Sequence, residues 1–245
     1  MQKIIGTLIA LFLSLSAFPA AAASGTQLLK EIDRNLQPVS YEAYRKLINI
    51  EPSGKRKEFL LYTAKKGGDK VLSLFLEPAR DKGRATLRLG DNMWLYIPNV
   101  GKPVRITSMQ SVTGGIFNNS DIMRLDYSLE YNVTGQSKSG TLTVLRLKAK
   151  SRTVAYDKLV MWVDAKRKLP TKIECRTSTG TLVKTLYFKD VKSFGGGITR
   201  PAKVETDSPL HKGYRSVMMF GKVKKRTFKD EVFTLGFLPR VGTLR

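Results

Sequence analysis

Short apolar, β-branched and aromatic runs separated by glycine-containing turns dominate the chain from residue 59 onward. Phe59–Tyr62 leads into the turn Lys65–Asp69, and Val71–Leu76 returns from it, the pattern of a hairpin. Ala85–Leu89 and Met93–Ile97 flank Gly90-Asp91-Asn92 in the same way. Val104–Thr107, Tyr127–Thr134, Thr141–Leu147, Leu159–Val163, Thr171–Arg176, Leu182–Val191, Ala202–Thr206 and Tyr214–Val223 continue the series. Turn signals every ten residues or so predict a mainly β sandwich or barrel of about eleven strands. One amphipathic helix precedes them. In Ser24–Leu36, Leu28, Leu29, Ile32 and Leu36 fall at helical spacing, Ser24 or Thr26 can cap, and Pro38 stops the run. Asn119 or Ser120 can cap a single helical turn in 118–125. No linker-like stretch divides 24–245, so the pattern predicts one domain.

Two of these strands are apolar on both faces. Leu72, Leu74 and Leu76 oppose Val71 and Phe75, and Met93, Leu95 and Ile97 oppose Trp94 and Tyr96. A sheet with one solvated face alternates apolar and polar residues, so these strands need cover on both sides. The helix at 24–36 can supply one cover. A partner, an apolar ligand inside a curved sheet, or ordinary core packing can supply the other.

The N-terminus changes the setting. Lys3, the apolar run Ile4–Leu15 and the small-residue pair Ala21 and Ala23 before Ser24 form a secretory signal pattern over residues 1–23, with cleavage after Ala23. The apolar run is shorter than the ~20 residues a bilayer span takes, and no cysteine stands at the cleavage point to take a lipid. The expected compartment is the bacterial periplasm. The net charge is +23, and loss of 1–23 removes only Lys3. Export argues against nucleic acid as the partner. Anionic headgroups and acidic proteins are the anions such a field would meet. Lys222, Lys224, Lys225 and Arg226 form the densest basic cluster, a candidate docking surface whose bland alternative is a solvated strand.

Catalytic chemistry is poorly provided for. There is one histidine, His211 in a turn, and one cysteine, Cys175, in an alternating stretch that reads as buried. No zinc spacing, nucleophile elbow or phosphate loop is present, and Gly195-Gly196-Gly197 reads as a turn. Asp121, Asp126 and Glu130 could do acid–base work or bind a cation, but Arg124 among them favours local ion pairing. The sequence therefore predicts no enzyme, no cofactor and no metal.

Against this background the run Phe75–Ala85 (FLEPARDKGRA), then Met93–Pro98 (MWLYIP) and Arg105-Ile106, resembles the LolA-like outer-membrane lipoprotein-sorting family. Gly114 to Asp121, Asp126-Tyr127, Trp162-Val163-Asp164 with Leu169-Pro170, Arg200-Pro201 and Asp230–Thr234 through Leu238 follow in the family's order. The resemblance implies a strongly curved antiparallel sheet forming an incomplete barrel, closed on one side by short helices, with an apolar cavity. It implies a periplasmic carrier of lipid or acylated lipoprotein, moving cargo toward the outer membrane with an inner-membrane exporter of RND type. The competing reading is an accessory protein that docks on such a transporter through its basic surface and binds no lipid. Leu74, Leu76, Trp94 and Tyr96 are the expected cavity residues, with Met123 on the segment covering them. A one-residue shift would turn every one of those strand side chains to the other face.

Overall fold

The computed structural model describes residues 18–245, with side chains from Ser24 onward. Most of the signal pattern over 1–23 lies outside the described residues. Thirteen strands form one antiparallel sheet that does not close, in the order β6-β5-β4-β3-β2-β1-β13-β12-β11-β10-β9-β8-β7. The strands are β1 (Ser40–Ile50), β2 (Arg56–Lys66), β3 (Lys70–Glu77), β4 (Ala85–Leu89), β5 (Asn92–Tyr96) and β6 (Val104–Ile106), then β7 (Tyr131–Ser139), β8 (Leu142–Ala149), β9 (Lys158–Asp164), β10 (Leu169–Arg176), β11 (Leu182–Ser193), β12 (Thr199–Asp207) and β13 (Arg215–Lys225). The first six meander outward from β1, and the other seven meander back until β13 pairs with β1. Residues 107–130 must therefore cross from one sheet edge to the other. They carry the short helices α2 (Asn119–Ile122) and α3 (Tyr127–Glu130).

Thirteen strands stand where about eleven are expected, and the one strand that none of the alternating segments matches is β1, which escapes the apolar alternation. Its buried positions are Tyr41, Ala43, Arg45, Leu47 and Asn49, every second residue. Two of the five are polar, so the strand at the middle of the sheet does not read as a core strand. The helix is longer than expected. α1 spans Phe18–Leu36, so Ser24 and Thr26 lie within it rather than capping it. The cap of α2 also differs by a residue. Asn118 accepts from the Asp121 amide at 3.1 Å, while Asp121 accepts from the Asn118 amide at 3.0 Å, a reciprocal capping box.

Each face of the sheet has its own apolar cluster. On the inner face, Leu29, Ile32 and Leu36 of α1 and Phe117, Ile122 and Met123 of the crossing segment pack on Leu47, Leu61, Val71, Phe75, Leu145, Met161 and Ile173. On the outer face, Tyr62, Leu72, Leu74, Leu76, Leu87 and Tyr96 pack under the C-terminal segment through Phe228, Val232, Phe233, Phe237, Leu238, Val241 and Leu244. The second cover left open by the sequence is thus the chain's own tail, wound as two 3-10 stretches, Asp230–Phe233 and Leu235–Leu244. Arg226 clamps it, donating to the Leu244 carbonyl at 2.7 Å, to Glu42 at 2.6 Å and to the Tyr62 hydroxyl at 3.1 Å.

The crossing segment is seated closely. Asn49 donates to the Thr113 carbonyl at 3.0 Å, and the Ser216 hydroxyl donates to Asn49 at 2.8 Å while accepting from the Ile116 amide at 3.1 Å. Gly115 passes over this group with no room for a side chain, because a Cβ there would sit 2.0 Å from Asn49 Oδ1.

Candidate functional site

Between the inner face and the crossing segment lies a cavity of about 50 Å³. That volume admits a few waters, against the ~300–1,000 Å³ of a small-molecule pocket. Its walls are mixed. Val71, Phe117, Ile122, Leu159, Ile173, Leu186, Phe188, Val204 and Met218 are apolar, while Tyr41, Tyr127, Tyr131, Tyr156, Arg45, Arg124 and Arg200 bring polar groups inward. The apolar cavity expected from the resemblance is therefore, in this conformation, small and partly polar.

The strand register explains the arginines. Arg45 occupies an inward position of β1 and reaches the crossing segment, with Nη1 donating to the Ile122 carbonyl at 2.7 Å. Its Nη2 donates to Thr63 at 2.5 Å and Ser73 at 2.7 Å, hydroxyls that also bond each other across β2 and β3 at 2.9 Å. Arg200 enters from β12 and lies over the Phe220 ring at 3.9 Å. Arg124 donates to the Tyr127 hydroxyl at 3.3 Å and, with the Gln37 amide in its consistent orientation, twice to Gln37 at 2.7 Å.

Three ion pairs, two of them buried at both ends, fasten the crossing segment to the sheet. Asp121 pairs with Lys184 of β11 at 2.5 Å, Asp126 with Lys65 of β2 at 2.5 Å, and Glu130 with Arg88 of β4. The acidic trio is thus engaged in ion pairing, as its neighbourhood suggested, but with strands 63, 61 and 42 residues away rather than with Arg124. Arg88 also donates to the Met123 carbonyl at 3.2 Å, and Lys184 to the Ile116 carbonyl at 2.6 Å.

Asp33 joins α1 to the same segment by accepting from the Tyr127 and Ser128 amides at 2.8 and 2.9 Å. Burial lifts its carboxyl to about 6, opposed by the Ser128 amide bond and assisted by the nearby Asp126 charge. The folded value lies above the ordinary ~3.9 of an unfolded aspartate. The stability from protonating Asp33 is therefore full below that value and is lost as pH rises through about 6. A carboxyl ¹³C titration should find its midpoint near 6. In Asp33→Asn that resonance is absent, and the fall in stability between roughly pH 4 and 6 should shrink relative to wild type. A midpoint near 4 would remove the burial argument.

A family model described as that of an uncharacterized protein matches residues 67–240. The chain belongs to that family, and its fold is LolA-like. A LolA superfamily protein of Nitrosomonas europaea is 26% identical, with a TM-score of 0.77 over 87% of this chain and 97% of that one. A DUF1329 family protein of Desulfovibrio piger is 21% identical, with a TM-score of 0.76 over 89% of this chain and 99% of that one. A chain from Vibrio parahaemolyticus, described as an outer membrane lipoprotein-sorting protein domain, is 21% identical, with a TM-score of 0.74 over 89% and 100%. No curated protein matches the sequence.

Within this LolA-like sheet the five residues expected around one surface are divided between its two faces. Leu74, Leu76 and Tyr96, with half-buried Trp94 against them, lie in the outer cluster beneath the C-terminal segment. Met123 lies in the inner cluster, its sulfur accepting from the Thr86 hydroxyl at 3.1 Å. The four strand residues share one face, and the cavity beneath the crossing segment is lined by Val71 from the other face of β3. The one-residue ambiguity of a strand that is apolar on both sides produced this inversion.

The basic cluster divides similarly. Lys222, Lys224 and Lys225 are exposed. Lys224 stands opposite Glu42 and Lys225 opposite Tyr41, so successive side chains leave opposite faces of β13. Arg226 is occupied with Glu42, Tyr62 and the Leu244 carbonyl. Among the described residues, no helix is long and apolar enough to cross a membrane, and no group of three His, Cys, Asp or Glu is placed to hold a metal ion. Cys175 is buried in the inner cluster, where burial pushes its thiol up, and His211 is exposed.

Proposed function

We propose that this chain is exported, cleaved after Ala23, and acts in the periplasm as a non-enzymatic carrier of lipid or acylated lipoprotein, passed on from an inner-membrane exporter, with RND type as the first candidate. The observation that carries the reading is the interior of a LolA-like sheet enclosed beneath a crossing segment held by polar contacts. A carrier needs no catalytic group. It must replace water around acyl chains, each CH₂ contributing about 0.8 kcal/mol on burial. The present cavity of about 50 Å³ is too small for that, so loading requires residues 107–130 or α1 to move away from the sheet. Exposed Lys222, Lys224 and Lys225 would hold the carrier near anionic headgroups at about 1 kcal/mol per residue, reversibly and with salt sensitivity.

The small cavity is also what favours the second reading, an accessory protein that binds no lipid. Native mass spectrometry of protein isolated from the periplasm separates the two. Co-purified amphiphile, on a chain beginning at Ser24, is the expected result. An empty chain with a stoichiometric protein partner would establish the accessory reading. Co-sedimentation of the same preparation with vesicles should be stronger on anionic than on neutral lipid and should fade as salt rises. Equal, salt-indifferent binding would remove the membrane from the list of partners.

A further inference from the structure

The cavity holds more positive charge than its own groups neutralise. Arg45, Arg124 and Arg200 all line it. Among the described residues none of the three is in an ion pair, because the nearby carboxylates are committed elsewhere. Asp121 and Glu130 also line the cavity but pair with Lys184 and Arg88, Asp126 pairs with Lys65, and Asp33, whose charge also acts on Arg124, accepts from backbone amides. Arg45 and Arg200 are only 4% and 1% exposed. Their hydrogen bonding is incomplete: Arg45 Nε and Arg200 Nη1 have no partner. Arg200 Nε donates a long bond, at 3.4 Å, to the Pro201 carbonyl, and Tyr41 is the other group that favours the charge of this guanidinium, which carries five N–H donors.

Such an arrangement is costly, since a buried charge is ordinarily paired and a buried donor ordinarily satisfied. An apolar side chain of similar volume would fill either position with less loss. Burial lowers both guanidiniums only to about 10, so they stay charged at neutral pH. Three cations around a space of about 50 Å³ describe a receptor for a few oxygen atoms bearing negative charge. Phe117, Leu159, Ile173 and Phe188 line the same cavity, apolar side chains that a tail would meet once the cover lifts.

We propose that the cavity is an oxyanion site in which Arg45, Arg124 and Arg200 receive the carboxylate or phosphate of an anionic amphiphile. The amphiphile part rests on the carrier reading, whereas the oxyanion site stands without it. Guanidiniums suit this task because their planar N–H forks match carboxylate and phosphate oxygens two at a time.

The test uses the delipidated full chain and four probes: oleate, dodecyl phosphate, the uncharged oleyl alcohol, and inorganic phosphate against chloride at matched ionic strength. Calorimetry should show oleate and dodecyl phosphate binding at least about tenfold more tightly than oleyl alcohol. Arg200→Met should collapse that preference, and Arg124→Met, at a half-buried position, should reduce it. If Arg200→Met fails to fold, the wild-type preference and Arg124→Met still decide. Equal affinity for oleate and oleyl alcohol would overturn the oxyanion site and leave the carrier reading intact. Phosphate binding without any amphiphile binding would support the site and overturn the carrier. Binding of none of the four would overturn both. An anion preference untouched by either substitution would overturn the assignment to these arginines.

Discussion

Ending the chain before Phe228 should abolish cooperative folding. Seven buried apolar side chains, Phe228, Val232, Phe233, Phe237, Leu238, Val241 and Leu244, would be lost from the outer face. At about 1.5–3 kcal/mol each, their burial matches or exceeds the ~5–15 kcal/mol by which a domain is usually stable. The truncation would also bare Leu72, Leu74, Leu76 and Leu87 as one apolar patch, a surface that promotes aggregation. It would free Arg226 from the Leu244 carbonyl as well. A graded version is Leu238→Ala, whose residue is fully buried and whose truncation should cost about 2–5 kcal/mol. Thermal melts of both variants make the comparison. A truncated chain melting cooperatively near the wild-type temperature would show that the outer face does not depend on the tail.

That tail also marks the limit of what the sequence made legible. The strands, the hairpins and the two-sided apolarity of β3 follow from local alternation, because a side-chain period of two is written directly in the residues. The cover on the outer face does not. Its buried residues fall three or four apart, as in Phe233, Phe237, Val241 and Leu244, but Gly236, Pro239 and Gly242 interrupt a helical reading. The same limitation governs the site. Arg45 gives no site signal, because a strand with arginine and asparagine at core-facing positions does not look like a core strand. Yet that departure is the signal: Tyr41, Ala43 and Leu47 fix the register, and the register turns Arg45 inward. Arg200 was visible as part of Arg200-Pro201, but nothing local tells that its partner is the Phe220 ring rather than a carboxylate. Asp121, Asp126 and Glu130 stand close in sequence, while their bases arrive from three separate strands that only the topology brings near.

Lys184→Met should be among the most damaging single substitutions in the inner face. Lys184 and Asp121 are both nearly inaccessible at the side chain, at 4% and 6%, and lie 2.5 Å apart. Removing the lysine leaves the Asp121 carboxylate buried without its cation and orphans the Ile116 carbonyl, which accepts from the same ammonium. Loss of one partner of such a pair costs about 3–5 kcal/mol. The damage should centre on residues 107–130, because Asp121 also closes the capping box of α2 and accepts from the Tyr156 hydroxyl at 3.2 Å. Adding Asp121→Asn should recover a substantial part of the loss, since the uncompensated charge is then gone, and a double-mutant cycle measures that recovery. Hydrogen exchange supplies the spatial readout: amides of 107–130 should exchange faster in Lys184→Met while those of β8 to β10 change little. Uniform acceleration across the sheet would show that the pair supports the whole fold. Acceleration confined to the crossing segment would identify Asp121–Lys184 as a fastening between cover and sheet. Under the carrier reading, in which the cover lifts, this pair differs from the apolar contacts of Phe117, Ile122 and Met123 beside it: once it separates, water can solvate both charges.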